Sequence, residues 1–210
     1  MRIFTTIPQH NLQASKRSAE AMEIRGFTGI CTLENRHDPF LPLAVAATST
    51  RAIELSTGIA LAFVRSPMTI AHISWDLNEA SEGRFTLGLG SQIRAHNEKR
   101  FSVPWGPPVP RMREYVQSLR AIWRAWKTGE KLCFEGEHYR FTLMPPNFVP
   151  EETALAAPPV TIAAVGPVMV RLAGEVGDGL RLHPFCTRKY FDQIVLPQLE
   201  RGLARSGKPR

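Results

Sequence analysis

The feature that most restricts this chain is a regular alternation of short apolar or β-branched runs with longer amphipathic ones, punctuated by Gly and Pro. Ile3 to Pro8 reads as a strand, and Leu12 to Arg25 as a helix stopped by Gly26. Gly29 to Glu34 is a second strand, followed by a helix from Pro39 that Asp38 caps, with proline at the first helical position. Ile53 to Leu61 is a third strand. Ser66-Pro67 opens a helix with Ile70, Ile73, Leu77 and Ala80 at helical spacing, and Gly83 ends it. Arg84 to Gly90 is the fourth strand, and Arg111 to Trp126 is a strongly amphipathic helix closed by Gly129. Val160 to Val165 and Gly179 to His183 are the fifth and sixth main strands, with a helix opening at Pro167 between them. Thr187 to Ser206 is helical, with a kink or restart at Pro197. Strands separated by helices of this length imply a parallel sheet with right-handed crossovers.

One stretch breaks the alternation. Phe134, Tyr139 and Phe141 around Glu135-Gly136-Glu137 read as a β-hairpin, and Met144 to Pro159 as a Pro-rich connector. Residues 131–159 are therefore an insertion within a single 1–210 barrel domain. About six βα units are countable, where a closed (β/α)₈ barrel needs eight and about 250 residues. From pattern alone a doubly wound open sheet remains the alternative.

Composition removes several classes of function. The 43% hydrophobic and 21% charged residues are those of an ordinary globular domain. The net charge of +7 is spread along the chain without a nucleic-acid module, so nucleic acid is not the expected partner, while an anionic small ligand is favoured. No apolar run is long enough for a membrane span or a signal peptide, which makes the cytoplasm the expected compartment. Cys31, Cys133 and Cys186 form no C-x-x-C pair and the histidines show no ligand spacing, so no metal or redox centre is expected.

An ordered set of segments resembles one family. These are Glu34 to Phe40 (E-N-R-H-D-P-F), Leu55 to Ala60, and Ser66-Pro67 through Gln92 with its G-L-G-S-Q ending. Arg113 to Val116 with Leu119 to Trp123, Ala163 to Pro167 and Gly177 to Leu180 complete the set. Together they resemble the luciferase-like monooxygenases, closest to their branch dependent on the deazaflavin coenzyme F420. The resemblance implies a TIM-type (β/α)₈ barrel, here incomplete, because the chain reaches Gly207-Lys-Pro-Arg210 about where a seventh strand should begin. It further implies hydride transfer between F420 and a small organic substrate. An FMN-dependent monooxygenase, or a truncated non-catalytic remnant, are the competing readings. Open strand edges would favour a homodimer or association with the missing C-terminal segment.

Candidate site residues follow from strand ends and from that resemblance. Glu34, Asn35 and His37 close strand two, where barrel active sites are built. His37 or Glu34 would assist the proton that accompanies the hydride, although His37 could equally satisfy its own loop, and Asp38 reads better as a cap. Gly58 and Ile59 would carry a non-prolyl cis peptide forming a bulge behind the cofactor ring; an ordinary strand glycine is the plainer alternative. Gly90, Ser91 and Gln92 offer close backbone approach and hydrogen bonds, while Gly88 suits tight packing. Val165-Gly166 precedes a helix whose free N–H groups would hold the cofactor phosphate. His183 could line the same site, with Phe185 as either wall or core.

Overall fold

The computed structural model describes residues 2–207, so Met1, Lys208, Pro209 and Arg210 lie outside the described residues. In chain order the strands are β1 (Phe4–Thr5), β2 (Gly29–Thr32), β3 (Glu54–Thr57), β4 (Ala60–Leu61), β5 (Phe85–Gly90), β6 (Phe134–Glu135), β7 (Arg140–Phe141), β8 (Val160–Ala163) and β9 (Gly179–Arg181). The α-helices are α1 (Leu12–Ile24), α2 (Leu41–Ser49), α3 (Pro67–Ala80), α4 (Arg94–Arg100), α5 (Pro108–Thr128), α6 (Pro167–Val176), α7 (Arg188–Tyr190) and α8 (Leu196–Ser206). The main sheet is parallel throughout, in the order β1-β2-β3-β5-β8-β9, with β4 also on β5. With no reversal of order there is no switch point. The sheet is a curled half-barrel with helices packed on its outside, and the doubly wound alternative is set aside. β6 and β7 form the expected antiparallel hairpin apart from it.

Strand periodicity decides what each face carries. Ile30, Leu55, Leu87, Leu89, Val160 and Ile162 are fully buried, packed in one core with Leu43, Ile70, Tyr115, Leu119 and Ile122 of the helices. The alternating positions Cys31, Thr86, Thr161, Ala163 and Arg181 are half-buried and face the concave side. A barrel interior made of small and polar side chains leaves room for a ligand. The hairpin is fixed by Glu114 of α5, whose carboxylate accepts the N–H groups of Glu137, His138 and Tyr139.

Several expected boundaries need correction. Strand one stops at Thr5 and not at Pro8, where the missing N–H cannot serve a ladder. Strands two, five and six likewise end before Glu34, Val165 and His183, which pass into the loops. The third strand is two strands: Ser56 faces Thr86 but Ala60 faces Leu89, so β3–β4 carries one extra residue. That residue is accommodated at Gly58-Ile59, the cis peptide anticipated there. Helix α2 begins at Leu41 with Phe40 and not Asp38 at its N-cap; the Asp38 carboxylate accepts the N–H groups of Phe40 and Leu41 in the turn that leads into it. Helix α4 was not foreseen, because R-A-H-N-E-K-R has no apolar periodicity; Asn97 anchors it through the carbonyls of Ser91 and Ile93. The final helix is interrupted as expected: a wide π turn over Phe191–Val195 lies directly ahead of Pro197, whose missing N–H breaks the ladder.

Among the described residues β1 and β9 each pair on one side only. Ile3 and Phe4 are also exposed beside the β1 edge. The 210-residue chain alone is therefore expected to migrate as species larger than a monomer in size-exclusion chromatography with light scattering. A monomer with one cooperative unfolding transition would contradict this. No described helix is long and apolar enough to cross a membrane.

Candidate active site

Because every main-sheet strand runs the same way, the loops after β2, β4, β5, β8 and β9 emerge at one edge of the sheet. At that edge lies a cavity of about 610 Å³, lined by Gly58, Ile59, Gly90, Ser91, Gln92, Val165, Gly166, Arg181 and His183 among others. Its volume is in the range of small-molecule and cofactor sites. A second, mainly apolar cavity of about 450 Å³ adjoins it, sharing Val165 and His183 and adding Phe185, Cys186 and Tyr190.

The wall of the first cavity is set by backbone. The Gly58 N–H donates to Thr32 O at 2.7 Å, and the Thr57 hydroxyl bonds Gly88 through both its carbonyl and its N–H at 2.8 Å. This fixes the bulge between neighbouring strands. The Ile59 side chain then lies across Gly90: a Cβ on Gly90 would sit 2.3 Å from Ile59 Cδ1 and 3.7 Å from Ala163 Cβ. Gly90, Ile59 and Ala163 together make a flat apolar ledge. Gln92 follows with φ 55°, a left-handed conformation uncommon for a residue with a side chain. Its side-chain carbonyl accepts the Ile93 N–H at 2.9 Å.

Gly166 is the N-cap of α6, and a Cβ there would meet nothing within 4 Å, so the helix start is open to the cavity. Pro167 lacks an N–H, and the unpaired donors of the first turn come from the residues after it. His183 Nδ1 accepts the Phe185 N–H at 3.2 Å, and its ring stacks on Phe185 with centroids 5.6 Å apart.

The loop after β2 behaves differently from its sequence reading. Glu34, Asn35 and His37 share the site's end of the sheet but do not line this cavity. The Glu34 carboxylate is turned inward, accepting from Leu61 N at 2.7 Å and from Arg65 at 2.8 Å. Its own N–H donates to Ile59 O at 3.2 Å. Glu34 thus braces the bulge from behind. Asn35 is exposed, its carbonyl bonded by Arg100 of α4, and His37 is exposed in the same loop.

Arg181 was not anticipated. It ends β9, and its guanidinium crosses the concave face to Cys31 Sγ at 3.3 Å and Ser56 Oγ at 3.2 Å. The available signal was period two along G-L-R, which directs Gly179 and Arg181 to the same inward face. The grouping Glu114, Glu137 and His138 lies within ligand spacing for a metal, but Glu114 is already spent on holding the hairpin.

A cofactor with a planar ring and an anionic tail fits these features. The ledge is flat, the glycines let the ring approach backbone, and the open helix start suits a phosphate. Fold and cavity together define a half-barrel of parallel strands with a ligand-sized cavity at its strand ends. A model of the luciferase-like monooxygenases matches residues 1–210, and the chain belongs to that family. An uncharacterized protein of Mycobacterium tuberculosis is 51% identical over 210 residues, covering 100% of this chain and 62% of its own length. The F420-dependent glucose-6-phosphate dehydrogenase of Intrasporangium calvum is 32% identical over 184 residues, covering 83% of this chain and 52% of its own length. The chain therefore spans roughly half to three-fifths of these relatives. The crystal structure of the monooxygenase RslO1 from Streptomyces bottropensis superposes with a TM-score of 0.81 at 23% identity, covering 100% of this chain and 68% of that one, a likeness of fold.

Proposed function

We propose that the cavity at the strand ends holds coenzyme F420 and serves hydride transfer to or from a small organic substrate. The observation that carries this reading is the convergence in one cavity of the Ile59–Gly90–Ala163 ledge and the open start of α6. The relative from Intrasporangium calvum, F420-dependent by name, supports the choice of cofactor. When bound, F420 supplies the hydride chemistry, and the protein's part is to position and tune it.

Each residue then has a task. Gly58 and Ile59 back the ring on one face, and Glu34 keeps them there through Ile59 O and Leu61 N. Ser91 and Gln92 hydrogen-bond the ring edge, and His183 closes the opposite rim. The N–H groups of Gly166 and Val168 hold the phosphate at the positive end of α6. The Asn35 carbonyl, bonded by Arg100, would order the loop that carries His37, whose imidazole lies outside the cavity and would exchange the accompanying proton through a bridging water.

The test is a fluorescence titration of the chain with F420 and with FMN. Saturable binding of F420, weakened about tenfold or more in Gly166→Asp, is the expected result, since the new carboxylate opposes an anion at the helix start. Position 166 has room for it, so folding is not the confounder. Binding of FMN alone would move the assignment to a flavin monooxygenase, and binding of neither would end it.

A further inference from the structure

Among the described residues three that carry side chains have positive φ: Glu82, Gln92 and Ser102. Glu82 lies in the tight turn after α3. The other two, both at φ 55°, flank a single element, α4 with its neighbours Ile93 and Phe101. A left-handed backbone disfavours any residue with a Cβ, and such positions recur at clamps and switch segments. Little holds the enclosed segment down. The one buried side chain of α4 is polar, Asn97, and no residue from 93 to 101 joins a hydrophobic cluster. Asn97 donates to the carbonyls of Ser91 and Ile93 at 3.0 Å, and its own Oδ1 is buried without a partner among the described residues. Farther along, Arg100 bonds the Asn35 carbonyl in the loop after β2. Helix α4 thus runs from the rim of the strand-end cavity, where Ile93 is part of the wall, to that loop, and hydrogen bonds hold it at both ends. It follows β5, a strand paired on both sides, so neither open edge of the sheet accounts for it.

We propose that residues 93–101 are a lid that turns on Gln92 and Ser102, opening to admit the cofactor and closing over it. This rests on the reading that the cavity holds F420. The closed position is the one described, with Asn97 and Arg100 engaged. Opening lets both flanks return to ordinary backbone and gives up little, because the segment adds nothing to the apolar core. Closing on a ligand has its own gain. Ile93, 58% exposed, is covered by what the cavity holds, and α4 brings Arg94, Lys99 and Arg100, with Glu98 as its one acid, toward a ligand that carries a phosphate.

The experiment is stopped-flow mixing of F420 with wild type, Ser102→Gly and Ser102→Val, with association and dissociation rates read separately. Position 102 is exposed, lies outside regular structure and lines neither strand-end cavity, so the variants fold and leave the ligand's contacts alone. Glycine adopts φ 55° without penalty and steadies the closed lid with or without ligand. Both rates in Ser102→Gly should therefore fall about fivefold, leaving Kd unchanged. Valine tolerates positive φ worse than serine, and both rates in Ser102→Val should rise about threefold, again at constant Kd. Rates that move together mark a gate, because a lost contact to the ligand changes dissociation and Kd instead. A change in one rate alone, or unaltered rates in Ser102→Gly, overturns the lid and leaves the cofactor assignment standing. Failure of wild type to bind F420 removes both the lid and the assignment beneath it.

Discussion

Replacing Arg65 by alanine is expected to lower the stability of the chain by about 3–5 kcal/mol, the cost of leaving one member of a buried ion pair alone. Arg65 reaches Glu34 at 2.8 Å and Asp38 at 3.0 Å, with side-chain exposures of 19%, 5% and 36% in that order. Burial works against the Arg65 charge, but Glu34 first and Asp38 after it outweigh that, raising its pKa above the usual arginine value. The Asp38 arm is open to water and adds less than about 1 kcal/mol. The effect resides in Glu34, which without Arg65 keeps only the Leu61 N–H on its bonded oxygen. Denaturant unfolding of R65A, E34Q and the double variant checks this. The double variant should recover much of the loss, because a neutral amide tolerates the site without a cation. A loss below about 1 kcal/mol in R65A would show that Glu34 finds another partner. On the proposed reading the same substitution should also weaken F420 binding, since the Glu34 carboxylate that Arg65 orients holds Leu61 N.

The second large effect is expected at Gly202. Helices α6 and α8 meet through Gly174 and Gly202 with backbone against backbone. A Cβ on Gly202 would lie 2.1 Å from Arg171 O, and one on Gly174 would lie 2.5 Å from Leu199 O. Neither contact can be relieved by turning a side chain, so the helices must part. Gly202→Ala should therefore cost about 3 kcal/mol, at the upper end of the usual range for overpacking, or roughly 6–12 °C in Tm for a chain of this size. Parting the helices also shifts Val195, which packs with Ala164 and Val170 beside the smaller cavity. Gly106→Ala is the comparator: its Cβ meets nothing within 4 Å, and its Tm should hardly move. Equal melting of the two variants would mean that α6 and α8 slide apart at little cost.

The elements that periodicity and caps specify were legible. Ser66 caps α3, Gly129 closes α5 with φ 70°, and the hairpin turns where its aromatic residues bracket Gly136. Alternation and the resemblance also led to the parallel order of the strands. Side-chain interactions between distant segments were not legible. Glu34 looks like a catalytic acid beside His37, but its direction is decided by Arg65, some thirty residues away. Arg84 reads as the start of a strand, whereas its guanidinium bonds the carbonyls of Ala47, Thr50 and Ile53 and fixes the turn into β3. Arg181 looks like one more surface cation until β9 is placed beside β8 and its side chain is seen to point inward. At Gly58-Ile59 the bulge came from resemblance alone, since no local rule separates it from a straight strand.

The outer side of β9 bears on what can pair there. Arg181 O already accepts the Ala164 N–H at 3.2 Å, so by the alternation of a parallel ladder the outward N–H and C=O groups are those of Leu180, which would recognise a neighbour by direction and spacing. A parallel strand that brings a covering helix would satisfy them.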